Sequence, residues 1–125
     1  MFKLIFIGCG GFLGAISRYL ISKWVETSFE SILPFGTLAV NVLGSFLLGF
    51  LMTFFLTKAP VYPELRTAIT TGFLGALTTF STFGYETVML LEDKNIFFAS
   101  LNVLSNLIIG LLFITAGIML ARAIS

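Results

Sequence analysis

The chain has 125 residues, 58% of them hydrophobic and 10% charged, with a mean hydropathy of +1.07 and a net charge of +1. That balance describes a polytopic membrane protein and leaves no stretch able to form a soluble domain with a core of its own. So small a net charge gives no reason to expect nucleic acid as a partner; histidine is absent, and the single cysteine, Cys9, excludes an internal disulfide and a Cys/His metal centre.

At about 20 residues per crossing, there is room for four transmembrane helices and little else. They are expected at 2–24, 34–56, 65–91 and 96–121, in a single domain spanning 1–125. In the first, Lys3 and the apolar residues before Cys9 imitate a lipoprotein signal. The apolar part is shorter than the roughly 7–15 residues such a signal needs, and the pattern runs on past the cysteine. Gly10, Gly14 and Arg18 are spaced by four and share a face, where small residues let a second backbone come close. Arg18 has two readings: a guanidinium snorkelling to the helix end, or a charge held by protein or water within the membrane.

The second segment opens behind Pro34 and carries Thr37, Asn41 and Ser45, again spaced by four. Such a stripe is either interhelical glue or the wall of a lined path. After the turn from Lys58 to Glu64, marked by two prolines, comes the most unusual stretch, Gly72-Phe73-Leu74-Gly75-Ala76-Leu77-Thr78-Thr79-Phe80-Ser81-Thr82-Phe83-Gly84. Glycines and hydroxyls stand where an ordinary membrane helix carries leucine, so a break near 75–79 is expected. Irregular backbone at that depth survives only if it is buried in protein or lines a watery cavity. A polar turn at Glu92 to Asn95 leads to the fourth segment, whose Asn102, Asn106 and Gly110 line one face.

Counted by side, Lys3, Lys58, Arg66 and Arg122 oppose Arg18, Lys23 and Lys94. Orientation follows lysine and arginine asymmetry, so four against three predicts insertion both ways and an antiparallel pair of copies. Catalysis is not expected, because the serines have no base beside them. A proton-coupled exporter would need a carboxylate at mid-membrane, and Glu86, the one candidate, is expected near a helix end. What remains is a conduit of hydroxyls, amides, backbone and ring edges. Phe80 and Phe83, three apart, would project to one side, and the positive edge of a phenyl ring attracts a small anion without trapping it.

Three stretches resemble the Fluc (CrcB-type) fluoride channels along the whole chain. They are Gly10-Gly11-x-x-Gly14-Ala15-x-x-Arg18-Tyr19, then Gly36-Thr37-Leu38-x-Val40-Asn41-x-x-Gly44-Ser45-Phe46, and Gly72-Phe73-x-Gly75-x-x-Thr78-Thr79-Phe80-Ser81-Thr82-Phe83. The resemblance implies an all-α dual-topology homodimer in the cell membrane, its third helix broken, with two antiparallel pores passing fluoride out of the cell. It implies a central structural sodium ion on the backbone carbonyls of Gly75 and Thr78. Phe80, Phe83 and Asn41 would line the pore, Thr37 would lie beside them, Ser81 and Thr82 would extend the polar line, and Arg18 would stand at the aqueous vestibule. In segment four the family often shows Tyr, then Ser, then Gly or Ser at intervals of four, where this chain has Asn102, Asn106 and Gly110. The polar track is kept there with amides. Two other readings compete: a small multidrug-type transporter, which would need an acidic residue in the first helix where none stands between Phe2 and Arg18, and a non-conducting assembly subunit.

Overall fold

The computed structural model describes residues 2–57 and 61–124, so Lys58, Ala59 and Pro60 of the expected turn, with the charge assigned to Lys58, lie outside the described residues. The described residues are helical throughout apart from short links and form four segments. Segment one is α1 (Phe2–Ser28) and segment two is α2 (Phe35–Thr57). Segment three is composite. It begins as α3 (Pro63–Thr67), widens into a π-helical stretch over Ala68–Leu74, closes as α4 (Gly75–Leu77), and restarts as α5 (Phe80–Glu92). Segment four runs through α6 (Ile96–Leu104), a second π turn at Ser105–Ile109, and α7 (Gly110–Ala123).

The boundaries follow local chemistry. Pro63 opens α3, where its missing N–H has no helical partner to lose. Helix α1 continues one turn beyond the expected Trp24, because Val25 to Ser28 holds no breaker. The end of α5 is closed by Asn95 N–H on the Leu90 carbonyl at 2.8 Å and Lys94 N–H on Leu91 at 3.0 Å, with Lys94 left-handed at φ 62°. That closure makes the tight turn into α6.

Phe2–Ser28, Phe35–Thr57 and Ile96–Ala123 are each long and apolar enough to cross a bilayer, whereas the interrupted segment three holds no single helix of that length among the described residues. Between apolar helices in lipid there is no hydrophobic drive, so contact depends on close fit. Gly10 and Gly14 provide it: a Cβ at either would collide with the carbonyl of Ala68 or Phe73, so α1 lies directly on the π stretch. Val40, Leu74 and Leu77 form the buried centre where α2 meets segment three. Phe46, Phe50 and Phe54 stack along α2, with the Phe113 ring of α7 edge-on to Phe46. Many large apolar side chains, among them Phe12, Leu111 and Phe80, stay exposed on the single subunit.

Candidate functional site: the break in segment three

At Thr78 and Thr79 the backbone leaves the helix for extended geometry, with φ/ψ of −89°/154° and −148°/122°. Two β-branched residues side by side suit that conformation better than a helix interior. The Thr79 hydroxyl then caps α5, accepting the Thr82 N–H at 3.2 Å and donating to the Thr82 hydroxyl at 3.1 Å.

A broken helix at this depth needs substitute partners for its freed backbone groups. Asn41 supplies two: its side-chain carbonyl accepts the Thr79 N–H at 2.8 Å and its amide donates to the Thr79 carbonyl at 3.1 Å. Arg18 supplies another, its Nε donating to the Ala76 carbonyl at 2.9 Å. A cation there also complements the negative end of the half-helix. Of the two readings of Arg18, the structure therefore selects the charge held by protein.

From Asn41 a line of amides leads into segment four. Asn41 donates to Asn106 at 3.0 Å, Asn106 to the Asn102 backbone and side-chain carbonyls at 2.9 and 3.2 Å, and Asn102 to the Thr87 hydroxyl at 2.9 Å. Thr87 ends the line by donating to the Phe83 carbonyl at 2.8 Å.

Beside the break lies an open pocket of about 330 Å³. Its wall includes Asn41, Gly75, Thr78, Phe80, Phe83 and Asn106. The Phe80 and Phe83 rings stand edge to face, 5.6 Å between centroids and 63° between planes. Phe83 is 8% exposed and fixed within the subunit, whereas Phe80 is 80% exposed.

A profile described as CrcB-like protein, Camphor Resistance (CrcB), matches residues 5–118. The chain belongs to the CrcB family. Curated relatives named "Fluoride-specific ion channel FluC" share this length. The one from Methanocaldococcus jannaschii is 52% identical over 122 residues, 98% of this chain and 96% of the relative. Those from Geotalea daltonii and Syntrophotalea carbinolica are 49% and 50% identical, covering 99% and 95% of this chain and 100% and 97% of theirs. Family membership and the apolar helices together make this a multi-pass membrane protein.

In this CrcB chain, six of the eleven expected pore, vestibule and cation residues meet at the pocket, Asn41, Gly75, Thr78, Phe80, Phe83 and Asn106, with Ser45 of the α2 stripe beside them. The others lie outside its wall. Thr37 is buried one turn before Asn41, beside the Glu86 carboxyl. Asn102 is 2% exposed, behind Asn106. Ser81 is exposed, its hydroxyl 3.4 Å from that of Thr79, and Thr82 is tied to the Thr79 cap. Arg18 approaches the break from α1.

The backbone also bears on the expected cation. The Thr79 N–H, which would serve the Gly75 carbonyl in a continuous helix, goes to Asn41, and the Thr82 N–H, which would serve Thr78, goes to Thr79. Both carbonyls have thus lost their helical donors, and neutral oxygens at the negative end of a half-helix suit a hard monovalent cation.

Two residues were misjudged or missed in the sequence. Glu86 is not at a helix end: it lies in the middle of α5, and its Oε1 is sealed from solvent with no hydrogen-bond partner among the described residues. Thr87, which ends the amide line, was not singled out. Its spacing of four from Phe83, matching that of Phe83 from Thr79, was the available signal.

Proposed function

We propose that this chain is the subunit of a fluoride-selective channel that lets the ion leave the cell passively and so relieves fluoride toxicity. The observation that carries the reading is the convergence of Phe80, Phe83 and the start of α5 on one pocket beside a helix break. The names of the full-length relatives point the same way.

Fluoride holds its water tightly, so a path must replace hydration with many weak donors and still let the ion go. The first N–H groups of α5 and their dipole provide positive potential without a fixed charge. The edges of Phe80 and Phe83 add partial positive charge that does not bind hard. Thr37, Ser81 and Thr82 extend the polar line along α2 and the first turn of α5, and Asn41, Asn102 and Asn106 continue it into segment four. Arg18 raises the potential at the mouth of the break while remaining bonded to Ala76.

The working unit in this proposal is an antiparallel homodimer in the cell membrane with two pores. The polar wall of the break, with Asn41, Thr78 and Asn106 beside the 80% exposed Phe80, is poorly placed against lipid, and a second copy would cover it. The carbonyls of Gly75 and Thr78 would hold a structural sodium ion, whose positive charge would offset the facing half-helix ends. Insertion both ways is less strongly favoured than the bare count suggests. With Arg18 bonded at the break, the side counts become four, Lys3, Lys58, Arg66 and Arg122, against two, Lys23 and Lys94.

Growth of a fluoride-sensitive bacterium lacking its own exporter tests the function in cells. This chain restores growth in fluoride and Phe83→Ile does not. Equal failure of both, with both proteins present in the membrane, would remove the proposal.

A further inference from the structure

We propose that Asn106 is a positioning residue: by accepting the second amide proton of Asn41 it locks Asn41 across the break. Asn41 has one carbonyl and two N–H donors, and all three are engaged, by Thr79 N–H, Thr79 carbonyl and Asn106 Oδ1. The first two bonds alone leave the Asn41 amide plane free to swing about the Thr79 backbone. The third comes from a different helix and fixes it.

The direction of this bond is set from both ends by backbone groups that cannot turn over. At one end the Thr79 N–H must meet an oxygen, which places the Asn41 amide nitrogen on the side of Asn106. At the other, the single hydroxyl proton of Thr87 goes to the Phe83 carbonyl, so Thr87 must accept from Asn102. Asn102 therefore shows its oxygen to Asn106, whose nitrogen answers it, leaving the Asn106 oxygen for Asn41. Every amide in the line points the same way, and each donor polarises the next. Reversal of any one of them would set like atoms against each other.

The line also crosses elements. It begins at the break, passes through α2, enters the π turn of segment four at Asn106, and returns through Asn102 to α5. Asn106 is thus a contact through which segment four holds the geometry of the break. If the channel reading is right, as this consequence requires, fluoride passage depends on Asn106 through Asn41.

The test is site-resolved amide hydrogen exchange on the full chain in lipid nanodiscs, with fluoride efflux measured in parallel. In Asn106→Ala, protection of the Thr79 N–H falls about five-fold, the factor corresponding to one hydrogen bond of about 1 kcal/mol. Protection at Phe50 in α2 stays unchanged, which a general loosening would not allow. Asn41→Ala lowers Thr79 protection further, and adding Asn106→Ala to it changes nothing more, because the second residue acts only through the first. If Asn106→Ala does not assemble, Asn106→Leu fills the volume without an acceptor and is expected to show the same loss. Unchanged Thr79 exchange, an equal loss at Phe50, or additive effects of the two substitutions would overturn the proposal. Absence of fluoride efflux from the unaltered protein would count against the channel reading alone, since exchange reports on the lock whether or not an ion moves.

Discussion

Arg18→Leu removes a charged side chain that reaches the break, and its cost can be worked from a single contact. The Arg18 Nε donates to the Ala76 carbonyl at 2.9 Å, in the last turn of α4, where the helix can supply no donor because Phe80 starts a new one. A hydrogen bond from a charged donor contributes about 1.5–3 kcal/mol. The favourable charge at a helix C-terminus adds about 0.3–1 kcal/mol. The substitution should therefore cost about 2–4 kcal/mol, a shift of roughly 30- to 1,000-fold in the unfolding equilibrium. Titration of detergent-solubilised protein with dodecyl sulfate, followed through the single tryptophan, Trp24, measures it. Arg18→Lys should fall between, keeping the charge but losing the planar donor that meets the carbonyl. A loss in Arg18→Leu below about 0.5 kcal/mol, the range of an ordinary surface change, would refute the claim that Arg18 closes the first half-helix.

Gly14→Ala should lower stability by about 1–3 kcal/mol, because its Cβ would strike the Phe73 carbonyl; Gly8→Ala, with open space around it, should gain about 0.5–1 kcal/mol. Size-exclusion profiles after graded heating separate the two. Phe83→Ile and Phe80→Ile should each lower fluoride efflux about tenfold, the scale of one aromatic contact, with the dimer still assembled by crosslinking. Only Phe83→Ile should also loosen the subunit, since Phe80 is largely exposed. Asn41→Asp keeps the acceptor for Thr79 N–H but turns acceptors toward the Thr79 carbonyl and Asn106 Oδ1. It should abolish efflux and cost about 2–4 kcal/mol in the same dodecyl sulfate titration.

The sequence disclosed the crossings and the break because both rest on local composition. Hydropathy marks apolar runs, and glycines with adjacent threonines mark where a helix gives way. The extended pair, Thr78 and Thr79, falls inside the expected 75–79 window. Spacing by four likewise put Gly10, Gly14 and Arg18 on the face that meets segment three, and Asn102 and Asn106 on one side of segment four. What sequence could not disclose were partners distant along the chain. Nothing local to Asn41 shows that its amide serves Thr79, or that Arg18 is paired with Ala76, 58 positions away. The π turns at Ala68–Leu74 and Ser105–Ile109 were hidden for a related reason. Both lie against other helices, α1 for the first and α2 for the second, and no proline announces them. The expectation for Glu86 rests on its distance from the segment's end near Leu91 and ignores where the helix restarts after the break. Once the helix restarts at Phe80, the same residue stands in its middle.

Ion-selective electrode recording of fluoride efflux from liposomes holding the purified protein, beside matched chloride-loaded liposomes, tests the central claim most directly. Rapid fluoride release without chloride release is the predicted result. Well-folded protein that released neither ion, or both alike, would contradict it.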